Sequence, residues 1–158
     1  MRFEPPKPVL EYLGRLHVDL TAPVWELGET SALGRRRIIP ITGGTFEGPE
    51  FSGKILDSGA DWQVVTKDGV SIIDTRYLLQ TDDDQYVYLQ TKGFRFGPPD
   101  VMERVAQGES VDPALYNFRI TMQFETGSKK YAYLNRHIGV GCAMRLGREV
   151  VYDAYLLK

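Results

Sequence analysis

Asp61-Trp62-Gln63-Val64-Val65-Thr66-Lys67-Asp68-Gly69-Val70-Ser71-Ile72-Ile73-Asp74-Thr75-Arg76-Tyr77 is the stretch that decides the fold class. Runs rich in β-branched and aromatic residues at 61–66 and 70–81 flank Asp68-Gly69, a strong hairpin signal. The same pattern extends in both directions. Strands are predicted at 9–20, 35–42, 51–55, 86–92, 116–126, 130–138, 139–146 and 149–157. Gly43-Gly44, Asp82-Asp83-Asp84, Gly127 and Gly147 mark the breaks between them. Residues 23–34 read as irregular, with Trp25 as an apolar anchor. One helix is expected, over 98–107, with Pro98-Pro99 before it, Asp100 near its start and Gly108 at its stop. Short strands separated by turn residues, with so little helix, favour a closed sheet over parallel α/β layering. The expectation is an all-β protein, a small antiparallel β-barrel of about eight strands with one short helix, whose interior just holds one small ligand.

Composition narrows the function classes. Nineteen Lys and Arg stand against 21 Asp and Glu, so no strong attraction to nucleic acid or to an anionic membrane is implied. No apolar run reaches membrane-spanning length. The opening Met1-Arg2-Phe3-Glu4-Pro5-Pro6 lacks the apolar core of a secretory signal. The single cysteine, Cys142, has no internal disulfide partner and reads as a small core residue; a reducing, cytoplasmic setting fits it. Residues 1–8 are expected as an extended arm and 9–158 as a single barrel domain. An arm able to cross to a neighbour makes a homo-oligomer an expectation as well.

Alternation places Asp74 and Arg76 on one strand face with Ile72 and Leu78. Ionic groups among apolar neighbours are costly to bury unless they pair or serve a ligand. Asp61 is the second candidate carboxylate. If Asp61 and Asp74 share a cavity, like charge raises one pKa and leaves an acid beside a base; otherwise Asp61 or Asp74 belongs to a buried Asp–Arg pair that fixes register. Arg119, Thr121, Gln123 and Glu125 form one face of a strand, opposite Phe118, Ile120, Met122 and Phe124. Periodicity leaves open whether the polar face meets solvent or a cavity. Tyr131, Tyr133, Asn135 and His137 share a face if 130–138 is a strand, either as a polar lining or as a tyrosine ladder across the sheet. Two histidines and one cysteine, widely separated, give no zinc motif, and the glycines match neither a phosphate loop nor a dinucleotide fingerprint. No metal site and no cofactor are expected.

Gly43-Gly44-x-Phe46, Gly53, Gly59-Ala60-Asp61-Trp62, Asp74-Thr75-Arg76-Tyr77, Phe124-Glu125-Thr126-Gly127 and Tyr131-x-x-Leu134-Asn135 occur in the order found in domain-of-unknown-function family 3237, also called uncharacterised protein family 0311. The chain resembles that family from about Val9 to its end. The resemblance implies a β-barrel related in architecture to allene oxide cyclase and dirigent proteins, which bind apolar or phenolic molecules without a metal or redox cofactor. The family's turn after the Arg-Tyr strand usually reads Thr-Asp-Asp-Gly, and Asp84 stands here in place of that glycine.

Three functions remain open on these residues. The first is a cofactor-independent isomerase, cyclase or lyase/hydratase acting on a small, partly apolar, oxygenated compound. Asp61 or Asp74 would serve as acid or base and Glu125 as a reserve, with Arg76 and Arg119 holding an anionic oxygen. Trp62, Tyr77 and Tyr133 would supply ring contacts, and Asn135 a directed hydrogen bond. The second is a small-molecule binding module without chemistry. The third is an oligomeric interaction protein, with the polar strand faces at a subunit contact.

Overall fold

A computed structural model describes residues 1–158, the side chain of Ser31 excepted. Its strands are β1 (Leu10–Asp19), β2 (Trp25–Ser31), β3 (Gly34–Ile41), β4 (Gly43–Glu47), β5 (Gly53–Ile55), β6 (Gly59–Thr66), β7 (Ser71–Thr81), β8 (Tyr86–Phe96), β9 (Asn117–Glu125), β10 (Gly139–Leu146) and β11 (Glu149–Leu157). The one α-helix, α1 (Pro99–Ala106), lies between β8 and β9. All pairings are antiparallel. The ring β1-β4-β5-β7-β8-β9-β10-β11 closes through β7–β8, giving an eight-stranded barrel.

Strands β3 and β6 extend the wall at one end. β3 runs almost directly into β4 and β5 into β6, so each pair is one bent strand that changes partners. β3 pairs with β6, whereas β4 pairs with β1 and β5. Glycine is required at both bends. Gly44 has φ +134°, and a Cβ there would lie 1.9 Å from the His17 carbonyl oxygen. At Gly59 the β7 backbone comes so close that a Cβ would lie 1.7 Å from the Arg76 carbonyl oxygen. Between β5 and β6 the ladder breaks, and Ser58 Oγ replaces a backbone acceptor by receiving the Leu78 N–H at 2.9 Å.

Two sequence expectations need correction. Residues 25–31 are not irregular: β2 forms a hairpin with β3, interrupted by irregularities after Glu26 and after Glu29. These breaks hide the alternation on which a strand reading depends. Trp25 is 67% exposed and anchors nothing in the core. The predicted strand over 130–138 is instead a 3-10 turn, Ala132–Arg136. Leu134 is its buried residue and Tyr131, which precedes its first residue, is buried too, a spacing of three that suits three residues per turn better than alternation. The hairpin at Asp68-Gly69 and the helix stop at Gly108 form as expected, with φ +88° at Gly69 and +82° at Gly108.

The two ends of the barrel differ. At the end where β8 begins and β9 finishes, the interior is hydrocarbon. Phe51 lies 4.4 Å from Phe46, 6.4 Å from Phe124 and 5.9 Å from Tyr131, measured between ring centres. Leu79, Val87 and Leu134 are wholly buried there. At the opposite end, where β7, β9 and β11 begin, polar side chains enter the interior. Part of that end is covered by the connection carrying α1, whose Val101 and Val105 are buried in the core.

Candidate functional site

Inward positions follow from alternation once the wall is closed. On β7, Ser71, Ile73, Thr75, Tyr77, Leu79 and Thr81 are buried, and Ile72, Asp74, Arg76 and Leu78 face out. Asp61 and Gln63 of β6, Thr91 and Arg95 of β8, Arg145 of β10 and Tyr152 of β11 point into the same end of the barrel. Together with Val18, Leu20, Ile39, Ile41, Phe118 and Ile120 they line a cavity. About 40 Å³ of it admits the centre of a water molecule, and the whole void, mouth included, is about 480 Å³. The enclosed part holds a few waters or one small polar head, and the body of a larger ligand would occupy the mouth.

Asp61 is 7% exposed. One carboxylate oxygen accepts the Asp74 backbone N–H at 3.0 Å and the other accepts Gln63 Nε2 at 3.0 Å. Burial raises its pKa, and those two bonds and nearby Arg95 pull the other way without cancelling the rise. The Tyr77 and Tyr152 hydroxyls share a hydrogen bond of 2.5 Å, and burial raises both phenol pKa values although that bond opposes the rise at Tyr77. Thr75 and Thr91 are joined likewise at 2.5 Å.

Arg95 is 6% exposed and stacks on Phe118 with its guanidinium carbon 5.4 Å from the ring centre. Its Nη2 donates to Ser71 Oγ at 3.4 Å, and its Nε has no hydrogen-bond partner among the described residues. Burial, then the like charges of Arg145 and Arg37, push its pKa down to about 10, against the opposing pull of Asp61. Arg145 donates from Nε to the Gly147 carbonyl at 2.7 Å and is also depressed, chiefly by burial. Arg37 reaches Gln63 Oε1 at 3.4 Å and is held by Glu26 at 2.9 Å.

The sequence candidates separate into three places. Asp61 and Tyr77 are in the cavity. Asp74, Arg76 and Arg119 do not join them, because they occupy the outward phase of β7 and β9. Arg76 stacks on Trp62 outside the wall, 5.0 Å from its ring centre. Asp74 and Arg119 line an exterior hollow with Lys92 and Phe94, where one Asp74 oxygen is shielded and unpartnered among the described residues. Cys142 borders that hollow and is exposed, a correction to its reading as a core residue. Glu125 and Asn135 lie at the hydrocarbon end, on the outside. Asn135 closes the segment after β9, accepting the Thr126 N–H at 2.7 Å and donating to the Thr126 carbonyl at 2.9 Å. Tyr133 is half-buried, and its carbonyl receives His137 Nδ1 at 2.7 Å. The shared face expected for Tyr131, Tyr133, Asn135 and His137 disappears with the strand.

Gln63, Arg95, Arg145 and Tyr152 are the cavity residues that the sequence reading passed over. Arg95 is in phase with Val87, Leu89 and Thr91, but ending the strand at Lys92 left it outside. Gln63 lies two residues from Asp61 and shares its face. Among the described residues no three His, Cys, Asp or Glu side chains gather where they could share a metal ion.

A closed eight-stranded barrel, packed at one end and holding at the other a largely apolar cavity that a few polar side chains enter, defines the structural class. Residues 8–157 match the family described as "Protein of unknown function (DUF3237)", and the chain belongs to it. A "UPF0311 protein" of Rhodopseudomonas palustris (strain TIE-1) is 38% identical over 138 residues, covering 86% of this chain and 90% of that protein. A crystal structure of a beta-barrel like protein from Acinetobacter baumannii AYE superposes with a TM-score of 0.89 at 60% identity, covering 99% of this chain and 100% of that one. A crystal structure described as an enzyme from Penicillium herquei has the same architecture, with a TM-score of 0.70 at 21% identity and full coverage of both chains.

Proposed function

We propose that this protein binds a small, partly apolar, oxygenated molecule at the polar end of the barrel and moves a proton on it through Asp61. The observation that carries this reading is a carboxyl group with a raised pKa in a cavity whose other walls are largely hydrocarbon. Such a group holds a proton closer to neutrality than a surface aspartate and can both give it and take it back. The paired Tyr77 and Tyr152 hydroxyls supply a hydrogen-bond donor for a carbonyl or hydroxyl oxygen. A proton given and taken back by one group serves isomerisation or cyclisation, and addition or loss of water. The enzyme from Penicillium herquei makes the architecture compatible with catalysis.

The test uses the small-molecule fraction of a cell extract incubated with the pure protein in heavy water and analysed by chromatography and mass spectrometry. The expected result is a compound that gains deuterium, changes retention at constant mass, or gains or loses water, with wild type and not with folded Asp61→Asn. A compound that is retained by the protein and recovered unchanged identifies a binding module instead. If no compound is retained or altered, the cavity is not a ligand site.

Among the described residues no helix is long and apolar enough to cross a membrane. A cytoplasmic setting and self-association are part of the same proposal. The outer face of β8 supports association, since Phe94 and Phe96 are both exposed there. Light scattering of wild type and Phe94→Ser checks it: a monomer at all concentrations removes this part.

A further inference from the structure

We propose that the ligand is an anion, a carboxylate or an equivalent ionised oxygen, and that Arg95 receives it, with Arg145 beside it. This rests on the cavity being the binding site and adds the charge of what enters. Charge balance is the starting point. Two guanidiniums, Arg95 and Arg145, line the cavity against one carboxylate, Asp61. Arg37 lies close enough to act on both arginines, but Glu26 offsets it. The cavity therefore keeps at least one uncompensated positive charge, and more whenever Asp61 is protonated.

A buried guanidinium normally spends its donors, because an unmet donor beyond the reach of water is costly. Arg95 does not. Its Nε–H is shielded and unpartnered among the described residues, and its one polar contact, to Ser71, is long at 3.4 Å. The Phe118 ring lies against the guanidinium, 5.4 Å from ring centre to guanidinium carbon. An anionic oxygen against the guanidinium would offset the like-charge repulsion with Arg145, and a small turn of the side chain would bring the orphan Nε–H to it. The rest of the lining is largely apolar: Val18, Ile39, Ile73 and Ile120 suit a hydrocarbon body attached to one charged end. A neutral oxygenated compound would fill the space and leave the excess charge in place.

Benzoate and benzamide test this, since they share a ring and shape and differ in charge. Binding to the full chain is followed by thermal shift and by the arginine side-chain Nε–H signals in ¹⁵N NMR. The expectation is a saturable shift of the Arg95 signal by benzoate, with benzamide at least about tenfold weaker, as befits loss of a charge-assisted bond. Arg95→Gln should weaken benzoate by about tenfold or more, and Asp61→Asn should tighten it by removing the opposing charge. If Arg95→Gln does not fold, Arg145→Gln and the wild-type spectrum carry the same decision. Equal or tighter binding of benzamide overturns the anion inference and leaves the cavity reading intact. Benzoate shifts confined to Arg119 overturn it too, by placing the anion outside the wall. If neither compound perturbs a cavity residue at millimolar concentration, both readings fall.

Discussion

Replacing Arg95 by methionine should make the ligand-free protein more stable. The Arg95 guanidinium is shut away from solvent beside Arg145, and burial pushes its pKa down to about 10. At about 1.36 kcal/mol for each tenfold loss of proton affinity, that fall corresponds to about 3 kcal/mol spent on keeping the group charged in the folded state. Methionine loses the stacking on Phe118 and the weak bond to Ser71, together worth about 1–2 kcal/mol. The net gain is about 1–2 kcal/mol, or a rise in Tm of about 5 °C for a chain of this size. The sign with pH is definite. The folded-state pKa lies below the unfolded one, so the cost is fully present below about pH 10 and is relieved only as pH rises through that value. Arg95 itself therefore adds no slope between about pH 6 and 8, and any slope in the difference between wild type and Arg95→Met comes from Asp61, whose ionised form Arg95 favours. Urea unfolding in a buffer free of carboxylates measures it. Added benzoate should stabilise wild type and leave the variant unmoved. A folded variant less stable than wild type by more than about 1 kcal/mol would show that Arg95 supports the structure, and would refute the reasoning from burial.

Asp61→Asn should gain on wild type as pH rises. The folded-state pKa of Asp61 is raised, so the unfolded chain ionises first, and native stability falls from about pH 4 up to the folded value, whereas asparagine pays nothing. Urea midpoints between acid and neutral pH check this, and parallel curves for the two proteins would contradict it. Tyr77→Phe alone should cost about 1–3 kcal/mol by leaving the Tyr152 hydroxyl buried and unpaired, and the double change to phenylalanine should cost less than the two single changes summed. Additive losses in that cycle would show that the pair does not interact. Asp84→Gly should stabilise by about 0.5 kcal/mol, because Asp84 is the described non-glycine residue with positive φ, at 61°, and the gain outweighs its 3.2 Å bond from Gln80 and the added freedom of glycine unfolded. A lower melting temperature would place the turn's stability in the aspartate side chain instead.

The barrel was legible because turn chemistry and alternation agree along most of the chain. Gly69, Gly43-Gly44 and Gly147 lie where the backbone takes positive φ, conformations that glycine reaches without strain. Alternation also sorted β7 and β9 into their two faces correctly. It could not say which face of β7 turns inward, because both carry apolar residues: Ile72 and Leu78 outside, Ile73 and Leu79 inside. Asp74 and Arg76, which do not pair with each other, therefore read as a lining and lie on the exterior. Asp61 emerged as a candidate from its setting after Gly59-Ala60. Arg95 did not, since Gly93 appears to a strand reading as an end, although the glycine lets β9 approach and β8 continues past it. Tyr131-Ala132-Tyr133 mimics alternation over a segment whose buried residues repeat at three, and no local rule separates the two.

A crystal structure of the protein grown with benzoate tests the central assignment most directly. Density for its carboxylate is expected in the cavity, an oxygen within hydrogen-bond distance of the Arg95 guanidinium and the ring against Ile73 and Phe118. Water alone in that cavity, with benzoate bound in the exterior hollow beside Asp74 and Arg119, would contradict it.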